Sequence, residues 1–483
     1  MYYLGIDLGT SAVKGILCDE NGAVLRESSK SYPVYYPHDG WSEQNPEDWF
    51  LAVGELINEL SEGVEEKISA LSVGGQMHGL VVLDKADKVV RPCILWNDGR
   101  TEKQTKYLNE VVGKDFLSEN TANIAFAGFT APKLLWIEEN EPENFKKISK
   151  IMLPKDYIAY MLTGSFTTDY SDASGTLFLD VKNKCWSKKM LDILHISESQ
   201  LPALKESYEA IGRIKDEFKL KGVLVAAGAG DNAAAAIGTG TVRDGATNIS
   251  LGTSGTVFTS CDEFSAGENN SLHAFCHANG KYHLMGCILS AASSNKWWIE
   301  DILKSKDYEG EVASVAEKTG KNGVYFMPYL MGERSPHNDV NARGAFIGMR
   351  LDTTRQEMSL AVLEGVAFAL RDCVEAARSS GLKISSATLC GGGAKSPLWR
   401  HIIADVLNAE IIIPEVEQGP GYGAAILAMV AAGEYSSVEE AVAKIVKTKE
   451  RIAPNAKKAA LYEEKYKVFK SLYPSLKEAF KTM

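Results

Sequence analysis

The chain opens with Tyr3-Leu4-Gly5-Ile6-Asp7-Leu8-Gly9-Thr10-Ser11, and near its middle it returns to Asn248-Ile249-Ser250-Leu251-Gly252-Thr253-Ser254-Gly255. Each copy is an apolar strand that breaks at Leu-Gly-Thr-Ser. A second apolar run follows each break, Val13 to Cys18 in the first copy and Thr256 to Thr259 in the second. This pattern is typical of a β-hairpin repeated once in each half of the chain. The alternative is that the short string recurs by chance. This alternative is less favoured because each copy stands at the start of a half of the chain.

Strand-like and helical stretches alternate in the rest of the chain. Asn45 followed by Pro46 predicts the start of one helix. Thr354 with Glu357 forms a capping box that predicts a second. Apolar strand-like runs lie at 70–73, 223–226, 387–390 and 411–413, and the stretch from about residue 435 is typical of charged peripheral helices. Mixed elements in both halves predict an α/β fold.

The chain is long and acidic. Its 483 residues exceed what one hydrophobic core usually serves, which predicts at least two domains. A net charge of -11 argues against non-specific nucleic-acid binding and against docking on an anionic membrane. There is no long uncharged apolar run and no secretory signal pattern, so we expect a cytoplasmic protein. The eight cysteines include no CxxC pair, which disfavours a zinc site or a disulfide framework.

The first hairpin turn has the composition of a phosphate-binding loop. Gly9 lets the backbone approach phosphate oxygens, and Thr10 and Ser11 add hydroxyl donors, with Lys14 following. A carboxylate such as Asp7 can face a triphosphate when Mg²⁺ lies between the two. The alternative is a plain hairpin turn, in which glycine and threonine are ordinary residues.

Two further glycine-rich turns could serve the same nucleotide. Gly252, Thr253 and Ser254 could grip the triphosphate from the other side. The run 390–396, which contains Gly392, Gly393 and Ser396, lies between a strand and a helix-like stretch, a common nucleotide-binding arrangement. Tight strand–helix packing without a ligand is the alternative. No Walker loop occurs, and no Gly-x-Gly-x-x-Gly opens a βαβ unit, which disfavours a dehydrogenase.

Asp231 and Asn232 stand among small residues after an apolar strand. An aspartate so placed can accept a proton from a sugar hydroxyl as that hydroxyl attacks the γ-phosphate. The alternative is a helix N-cap formed by either side chain, and the two roles are compatible.

Jointly these elements resemble the FGGY carbohydrate kinase family. The run 128–136, Gly-Phe-Thr-Ala-Pro-Lys-Leu-Leu-Trp, looks like the first family signature, and 344–348 with Glu357 and 361–365 looks like the second. The resemblance implies an α/β fold of two actin-like ATPase (ribonuclease H-like) domains around a central cleft, with ATP and Mg²⁺ as cofactors. It also implies a sugar-binding domain over 1–240 and a nucleotide-binding domain with a helical tail over 241–483.

Within that family, Gly75-Gln76-Met77-His78-Gly79 is similar to the sugar segment of the kinases that act on D-xylulose. The resemblance implies that Met77 and His78 contact the sugar beside Asn232, with Asp231 as catalytic base. It also implies that Gly392, Gly393 and Ser396 line the adenosine site. A core histidine is the alternative for His78, but a position after a strand and between glycines favours ligand contact.

The expected reaction is therefore phosphorylation of D-xylulose by ATP, and a homodimer is an open alternative for the assembly state. Ribulokinase, gluconokinase and other ketose kinase activities remain alternatives, because sugar identity depends on pocket shape. A rival of another class is a non-catalytic ATPase switch of the same fold. The sugar segment at 76–79 and the lack of a peptide-binding region after the ATPase core disfavour it.

Overall fold

The structure is a computed structural model, and it describes residues 1–216 and 218–483. Two seven-stranded mixed sheets dominate these residues, one in each half of the chain. Both sheets are built on a hairpin that the sequence repeat predicts.

The first half contains fifteen strands and nine α-helices within its described residues. The strands are β1 (Tyr2–Leu8), β2 (Ala12–Asp19), β3 (Val24–Ser31), β4 (Glu43–Gln44), β5 (Ile68–Gly75), β6 (Val81–Leu83), β7 (Cys93–Ile94), β8 (Lys150–Met152), β9 (Thr167–Asp169), β10 (Leu179–Asp180), β11 (Cys185–Trp186), β12 (Ala203–Lys205), β13 (Ala210–Arg213), β14 (Leu224–Ala226) and β15 (Ala229–Gly230). The helices are α1 (Pro46–Ser61), α2 (Glu102–Lys106), α3 (Lys114–Thr121), α4 (Thr130–Asn140), α5 (Pro142–Phe145), α6 (Pro154–Thr163), α7 (Tyr170–Ala173), α8 (Lys188–Ile193) and α9 (Asp231–Gly238).

The register of the first sheet brings three loops to one edge. The strand order is β13-β14-β5-β1-β2-β3, with β15 beside the end of β5. Leu8 lies opposite Gly75 in the parallel pair β1–β5, and Gly230 lies opposite Gly75 in the parallel pair β15–β5. The residues that follow these three positions therefore emerge together at the carboxyl edge of the sheet, the usual place for a ligand in an α/β fold.

The second half contains nine strands and seven α-helices. The strands are β16 (Thr247–Leu251), β17 (Gly255–Cys261), β18 (His273–Cys276), β19 (Tyr282–Ile288), β20 (Tyr325–Met327), β21 (Ala345–Ile347), β22 (Ser386–Cys390), β23 (Glu410–Pro414) and β24 (Thr448–Ile452). The helices are α10 (Ala292–Lys296), α11 (Gly310–Ala313), α12 (Arg355–Ser379), α13 (Pro397–Leu407), α14 (Gly419–Ala431), α15 (Val438–Ile445) and α16 (Ala456–Phe480).

From β19 to β24 the second sheet repeats the first in strand order and direction, and β18 is an additional strand. It runs β18-β19-β17-β16-β22-β23-β24, with an antiparallel hairpin β16–β17, parallel neighbours β22 and β23, and an antiparallel edge strand β24. The corresponding series in the first sheet is β3-β2-β1-β5-β14-β13. The short repeated string in the sequence thus marks a repeat of the whole sheet.

Helices α9 and α14 pack against each other where the two halves meet. Their packing requires glycine, because a Cβ on Gly423 would lie 1.8 Å from the carbonyl oxygen of Ala234. Helix α14 also packs on β1, where a Cβ on Gly5 would lie 2.0 Å from the carbonyl oxygen of Gly421. Close backbone approach at these positions lets a helix from the second half of the chain cover the first sheet.

Most of the predicted elements are present, with three local differences. The stretch after residue 435 is not entirely helical, because β24 pairs with β23 as a charged edge strand; charged side chains on an edge oppose pairing with other chains. Asn45 precedes α1, but its side chain makes no capping hydrogen bond. Asp231 is the first residue of α9 and not its N-cap, which is Gly230. None of the described helices is long and apolar enough to cross a membrane.

Candidate active site

Side chains of the first half of the chain hold the first hairpin turn, Gly9 to Ser11, in place. The carbonyl of Thr10 accepts a hydrogen bond from Gln44 Nε2 at 2.7 Å, and the hydroxyl of Thr10 accepts one from Trp96 Nε1 at 3.0 Å. The backbone N–H groups of Thr10 and Ser11 have no acceptor among the described residues. A turn whose carbonyls are bound and whose N–H groups are free is suited to bind anionic oxygens.

Residues of the second half of the chain hold the second hairpin turn, Gly252 to Ser254, in place. The carbonyl of Thr253 accepts hydrogen bonds from Ala291 N at 2.9 Å and from Ser293 Oγ at 2.6 Å. The carbonyl of Gly252 accepts one from Ala292 N at 2.8 Å. Within the described part of the chain, the N–H groups of this turn also lack acceptors.

Asp7 and Asp231 lie near each other at the edge of the first sheet. Burial raises the pKa of Asp7 to about 7, and the charge of Asp231 adds to that effect while Lys14 opposes it. Burial likewise raises the pKa of Asp231 to about 6. One oxygen of Asp231, Oδ1, accepts hydrogen bonds from Asn232 N at 2.7 Å and Asn232 Nδ2 at 2.9 Å. The second oxygen is therefore available to a ligand.

The carboxylate of Asp7 suits a bound cation. It accepts no hydrogen bond from a described residue, and a second carboxylate raises its pKa. Among the described residues no cluster of three or more His, Cys, Asp or Glu side chains could hold a metal alone. This composition fits Mg²⁺, which usually takes one or two protein carboxylates and completes its shell with water and phosphate oxygens.

The segment after β5 places Met77 against Gly230, the residue before Asp231, and His78 follows Met77 in the same loop. A Cβ on Gly230 would lie 3.0 Å from Met77 Cγ, so the methionine packs directly on the residue before Asp231. His78 has a left-handed backbone, with φ of 70°, which is uncommon for a residue other than glycine and is frequent at functional sites. Its ring stacks on Phe129 at 4.6 Å.

His78 is held as a neutral imidazole. Its Nδ1 lies 2.8 Å from the carbonyl of Gly175, so Nδ1 carries the proton and donates. Burial and the charge of Lys133 lower the pKa of His78 to about 3. Nε2 is then a hydrogen-bond acceptor. Lys133 Nζ also donates a hydrogen bond to the carbonyl oxygen of His78 at 2.8 Å, which holds this loop in place.

The second half of the chain contributes residues to this pocket that the sequence analysis did not predict. Phe275 lies 6.5 Å from the ring of His78, and His273 lies 5.4 Å from the ring of Phe129. The guanidinium of Arg334 lies 5.2 Å from the ring of Phe126, and its charge lowers the pKa values of His78 and His273 further. The sequence analysis does not predict these contacts, because nothing local in the sequence indicates that these residues reach the first half.

The third glycine-rich turn follows β22 beside the second hairpin. Gly391 has φ of 91°, and a Cβ there would lie 2.8 Å from the carbonyl of Leu251, so only glycine fits without strain. Gly392 and Gly393 form a single 3-10 turn, and Ser396 accepts a hydrogen bond from Trp399 N at 3.4 Å and caps α13. The turn and α13 together form a strand–glycine–helix junction of the predicted kind.

Two cavities meet around the second hairpin. One, of about 250 Å³, lies between the halves and is lined by Asp231, Asn232, Thr239, Asn248, Ser250, Thr256 and Gly391, among others. The other, of about 680 Å³, lies within the second half and is lined by Gly252, Thr253, Ser293, Lys296, Tyr308, Gly392, Gly393, Ser396 and Trp399, among others. The first cavity is lined by the carboxylate of Asp231, and the second is large enough for a nucleoside.

The structure thus brings most of the predicted site residues together in two groups. Asp7, Gly9, Thr10, Ser11, Met77, His78, Asp231 and Asn232 lie at one sheet edge, with Gly252, Thr253, Ser254, Gly392, Gly393 and Ser396 at the corresponding edge of the other sheet. Lys14 is exposed on β2 opposite Asp7. The ring of Trp297 stacks on that of Phe326, with the ring centroids 6.3 Å apart.

These features define a two-domain α/β protein of the actin-like ATPase class with a ligand cleft between its sheets. The model of the N-terminal domain of the FGGY family of carbohydrate kinases matches residues 2–238, and the model of the C-terminal domain matches residues 247–432. The chain belongs to this family, and it is an ATP-dependent sugar kinase. The resemblance and the fold class predicted from the sequence are confirmed, and the non-catalytic switch is set aside.

Curated relatives of this chain include xylulose kinases. That of Lactococcus lactis is 41% identical over 489 residues, covering 99% of this chain and 97% of its own. Among solved structures, a xyloylose kinase from Brucella ovis has a TM-score of 0.93 at 39% identity, covering 99% of this chain and all of its own. A gluconate kinase from Lactobacillus acidophilus has a TM-score of 0.95 at 29% identity, covering 100% of this chain and 99% of its own.

Proposed function

We propose that the protein transfers the γ-phosphoryl group of ATP to the primary hydroxyl of D-xylulose, giving D-xylulose 5-phosphate and ADP, with Asp231 as the base. One observation carries the assignment of the base: the carboxylate of Asp231 emerges at the same sheet edge as the loop of His78 and the turn of Gly9. The names of the relatives support D-xylulose as the sugar.

Asp231 has the properties of a base that acts late in phosphoryl transfer. With Oδ1 fixed by Asn232, the free oxygen can accept a hydrogen bond from the attacking hydroxyl. A pKa near 6 keeps the carboxylate ionised at pH 7 and makes it a better proton acceptor than an ordinary aspartate. In a loose transition state the proton leaves the hydroxyl after most of the bond to phosphorus has formed, so positioning contributes more than basicity.

Asp7 would hold Mg²⁺ through one carboxylate, with water and phosphate oxygens as the remaining ligands. When bound, the ion would neutralise charge on the phosphate oxygens. The N–H groups of the two hairpin turns would bind the triphosphate from both sides, with the hydroxyls of Thr10, Ser11, Thr253 and Ser254 as further donors. These groups stabilise the negative charge that spreads over the transferred phosphoryl group.

The sugar pocket matches a ketose by its hydrogen-bonding character. Nε2 of neutral His78 only accepts, so it selects a hydroxyl. The guanidinium of Arg334 only donates, so it suits the carbonyl oxygen of a ketose. We propose that residues 1–240 provide most of the sugar site, that 241–483 provide the adenosine site, and that Arg334 reaches the sugar from the second half.

Gluconate is the second candidate sugar. The guanidinium of Arg334 has no carboxylate partner among the described side chains, and a sugar acid would supply one. The gluconate kinase from Lactobacillus acidophilus also shares the fold closely. A substrate panel separates the two candidates, because a sugar acid and a neutral ketose place different demands on this guanidinium.

The test combines one substitution with that panel. Asp231→Ala should lower kcat by roughly 10²-fold or more, the scale of general base catalysis, with little loss of folding. D-Xylulose should have the highest kcat/KM among D-xylulose, other pentuloses, gluconate and glycerol. A rate within a few-fold of wild type for Asp231→Ala would refute the base. A preference for gluconate or glycerol would refute the sugar and leave the kinase assignment intact.

A further inference from the structure

A fully buried group of one lysine and three aspartates lies behind Asp231. Lys155 Nζ is 2.6 Å from Asp156 Oδ1, 2.9 Å from Asp169 Oδ1 and 3.9 Å from Asp172 Oδ2. A Cβ on Gly75 would lie 3.0 Å from the Cβ of Lys155, so the lysine supports the end of β5 from which the sugar loop departs. None of these four side chains reaches the two cavities of the proposed site.

The charges in this group fix the lysine as a cation. Burial lowers the pKa of Lys155, but the three neighbouring carboxylates outweigh it and the net shift is upward. Burial raises the pKa of Asp156 and raises that of Asp172 well above its ordinary value. A buried cation with several carboxylate neighbours is a rigid anchor, because breaking any one pair leaves an uncompensated charge.

From this anchor a chain of hydrogen bonds leads to the backbone of the base. Asp169 Oδ2 accepts from Ser171 N at 2.9 Å, from Ser171 Oγ at 2.5 Å and from Ser207 Oγ at 2.7 Å. Ser171 Oγ in turn accepts from the N–H of Gly230 at 3.1 Å. Gly230 is the residue immediately before Asp231, and its other side is packed against Met77.

We propose that Ser171 is a positioning residue for phosphoryl transfer, which fixes the Gly230 peptide and thereby aims the carboxylate of Asp231 at the sugar hydroxyl. The proposal rests on the role of Asp231 given above. Ser171 is fully buried and lines neither cavity of the proposed site, so its effect on the reaction passes through Asp231. Strand β15 has only two residues, and its glycine has a flexible backbone. The hydrogen bond to Ser171 restricts that backbone.

Ser207 offers a matched control. It donates to the same carboxylate oxygen as Ser171 and is equally buried, but its hydroxyl has no bond to Gly230. Ser171→Ala and Ser207→Ala therefore remove comparable hydrogen bonds to Asp169, and only the first removes the acceptor for the Gly230 N–H. Ser171→Cys, which keeps the shape of the side chain with a weak acceptor, is a second variant should the alanine impair folding.

The experiment measures kcat and the two KM values of full-length variants with D-xylulose and ATP, together with thermal midpoints. Ser171→Ala and Ser171→Cys should lower kcat about 10-fold, the scale of a sub-ångström misplacement, with KM for ATP unchanged. Ser207→Ala should stay within about 2-fold of wild type. In an Asp231→Asn background, Ser171→Ala should lower kcat no further, because residues that act as a unit are not additive.

Any of the following three results would contradict the proposal. Equal kcat values for the Ser171 and Ser207 variants would overturn the positioning role while leaving Asp231 as base. The same would follow if Ser171→Ala lowered kcat by the full factor in the Asp231→Asn background, since that would indicate general structural damage. A near-normal rate for Asp231→Asn alone would overturn both the base and its positioning residue.

Discussion

The two hairpin turns have the same sequence and the same place in their sheets, yet different side chains surround them. Asp7 precedes the first Leu-Gly-Thr-Ser, whereas Ser250 holds that position in the second. Lys14, which lies opposite Asp7 on the next strand, corresponds in register to Thr256, which lies opposite Ser250. The first turn is bound by Gln44 and Trp96 from the first half, and the second by residues 291–293 from the second half.

The two turns share a backbone structure but differ in the ionisable side chains around them. The repeated turn supplies free N–H groups in both halves, as the proposed binding of a triphosphate from two sides requires. Beside the two turns, the carboxylates with raised pKa values are Asp7 and Asp231, and both belong to the first half. We therefore expect the two halves to respond differently to equivalent substitutions.

The sharpest test replaces the corresponding residues Asp7 and Ser250. Asp7→Asn should lower kcat roughly 10²- to 10³-fold, because it removes the proposed ligand of Mg²⁺ and with it charge stabilisation in the transition state. Ser250→Ala should change kcat less than about 5-fold, the scale of one neutral hydrogen bond. Steady-state kinetics across a range of Mg²⁺ concentrations measures both effects.

Two outcomes would remove the asymmetry. If Asp7→Asn and Ser250→Ala lowered kcat equally, the turns would share the same role and the carboxylate would be incidental. If Asp7→Asn kept normal activity at ordinary Mg²⁺ concentrations, Asp7 would not be a metal ligand. A Ser250→Asp variant provides the converse test, since a second carboxylate facing the triphosphate should raise KM for ATP.

The pH profile tests the same asymmetry through protons. With pKa values of about 7 for Asp7 and about 6 for Asp231, both carboxylates lose their charge as pH falls. Activity should decline below about pH 7 and more steeply below pH 6. Since a cation competes with the proton on Asp7, higher Mg²⁺ should move the first step to lower pH. A flat profile between pH 5 and 8 would contradict the assignment of either group.

The same raised pKa values affect stability in the opposite direction: activity should rise with pH, whereas the free energy of unfolding should fall. In the unfolded chain both aspartates ionise near pH 4, whereas in the folded protein they retain protons until pH 6 to 7. The ligand-free protein should therefore lose unfolding free energy between about pH 4 and 7 from these two groups. Thermal midpoints of wild type and Asp7→Asn should differ more at pH 8 than at pH 5, with the variant more stable at pH 8.

The sequence predicted those parts of the site that depend on local pattern. The hairpins, the glycine turns and the position of Asp231 follow from strand periodicity and small residues, and all lie where expected. The edge strand β24 was missed because its alternation of charged residues resembles an exposed helix. Ser171 was missed because its partner Gly230 lies 59 residues away along the chain, and only the fold brings the two together.

The two sides of the site should also separate in their substrate constants. His78→Ala should raise KM for the sugar about 10-fold and leave KM for ATP nearly unchanged, since it removes one acceptor and a stacked ring from the sugar pocket. Ser293→Ala, which removes a hydrogen bond from the second turn, should raise KM for ATP only a few-fold and spare the sugar. Initial-rate measurements with each substrate varied give both values.

A control variant distinguishes hydrogen bonding from packing at His78. His78→Gln keeps an acceptor and should recover part of the affinity for sugar, whereas His78→Phe keeps the stacking on Phe129 and should not. Equal effects of His78→Ala on both KM values would place His78 outside the sugar site and favour its alternative role as a core histidine.

The smallest expected effect is a change of shape. The two turns belong to different sheets, and they can bind one triphosphate together only if the sheets approach each other. Sugar near His78 and adenosine near Gly392 would then make the cleft a hinge, whose closure excludes water and aligns the hydroxyl with the γ-phosphate. Since α9 and α14 meet through close backbone contacts, we expect motion about this interface as a rigid unit and not within either sheet.

Small-angle scattering can measure this closure. The radius of gyration should fall by on the order of 1 Å with sugar plus a non-hydrolysable ATP analogue, and by less with either ligand alone, because both together stabilise the closed form most. In the absence of sugar, water can take the place of the hydroxyl, so slow ATP hydrolysis should persist and should fall in Asp231→Ala. An unchanged profile across ligand-free, singly and doubly liganded samples would favour a preformed rigid cleft, and the two turns would then have to reach the triphosphate without moving.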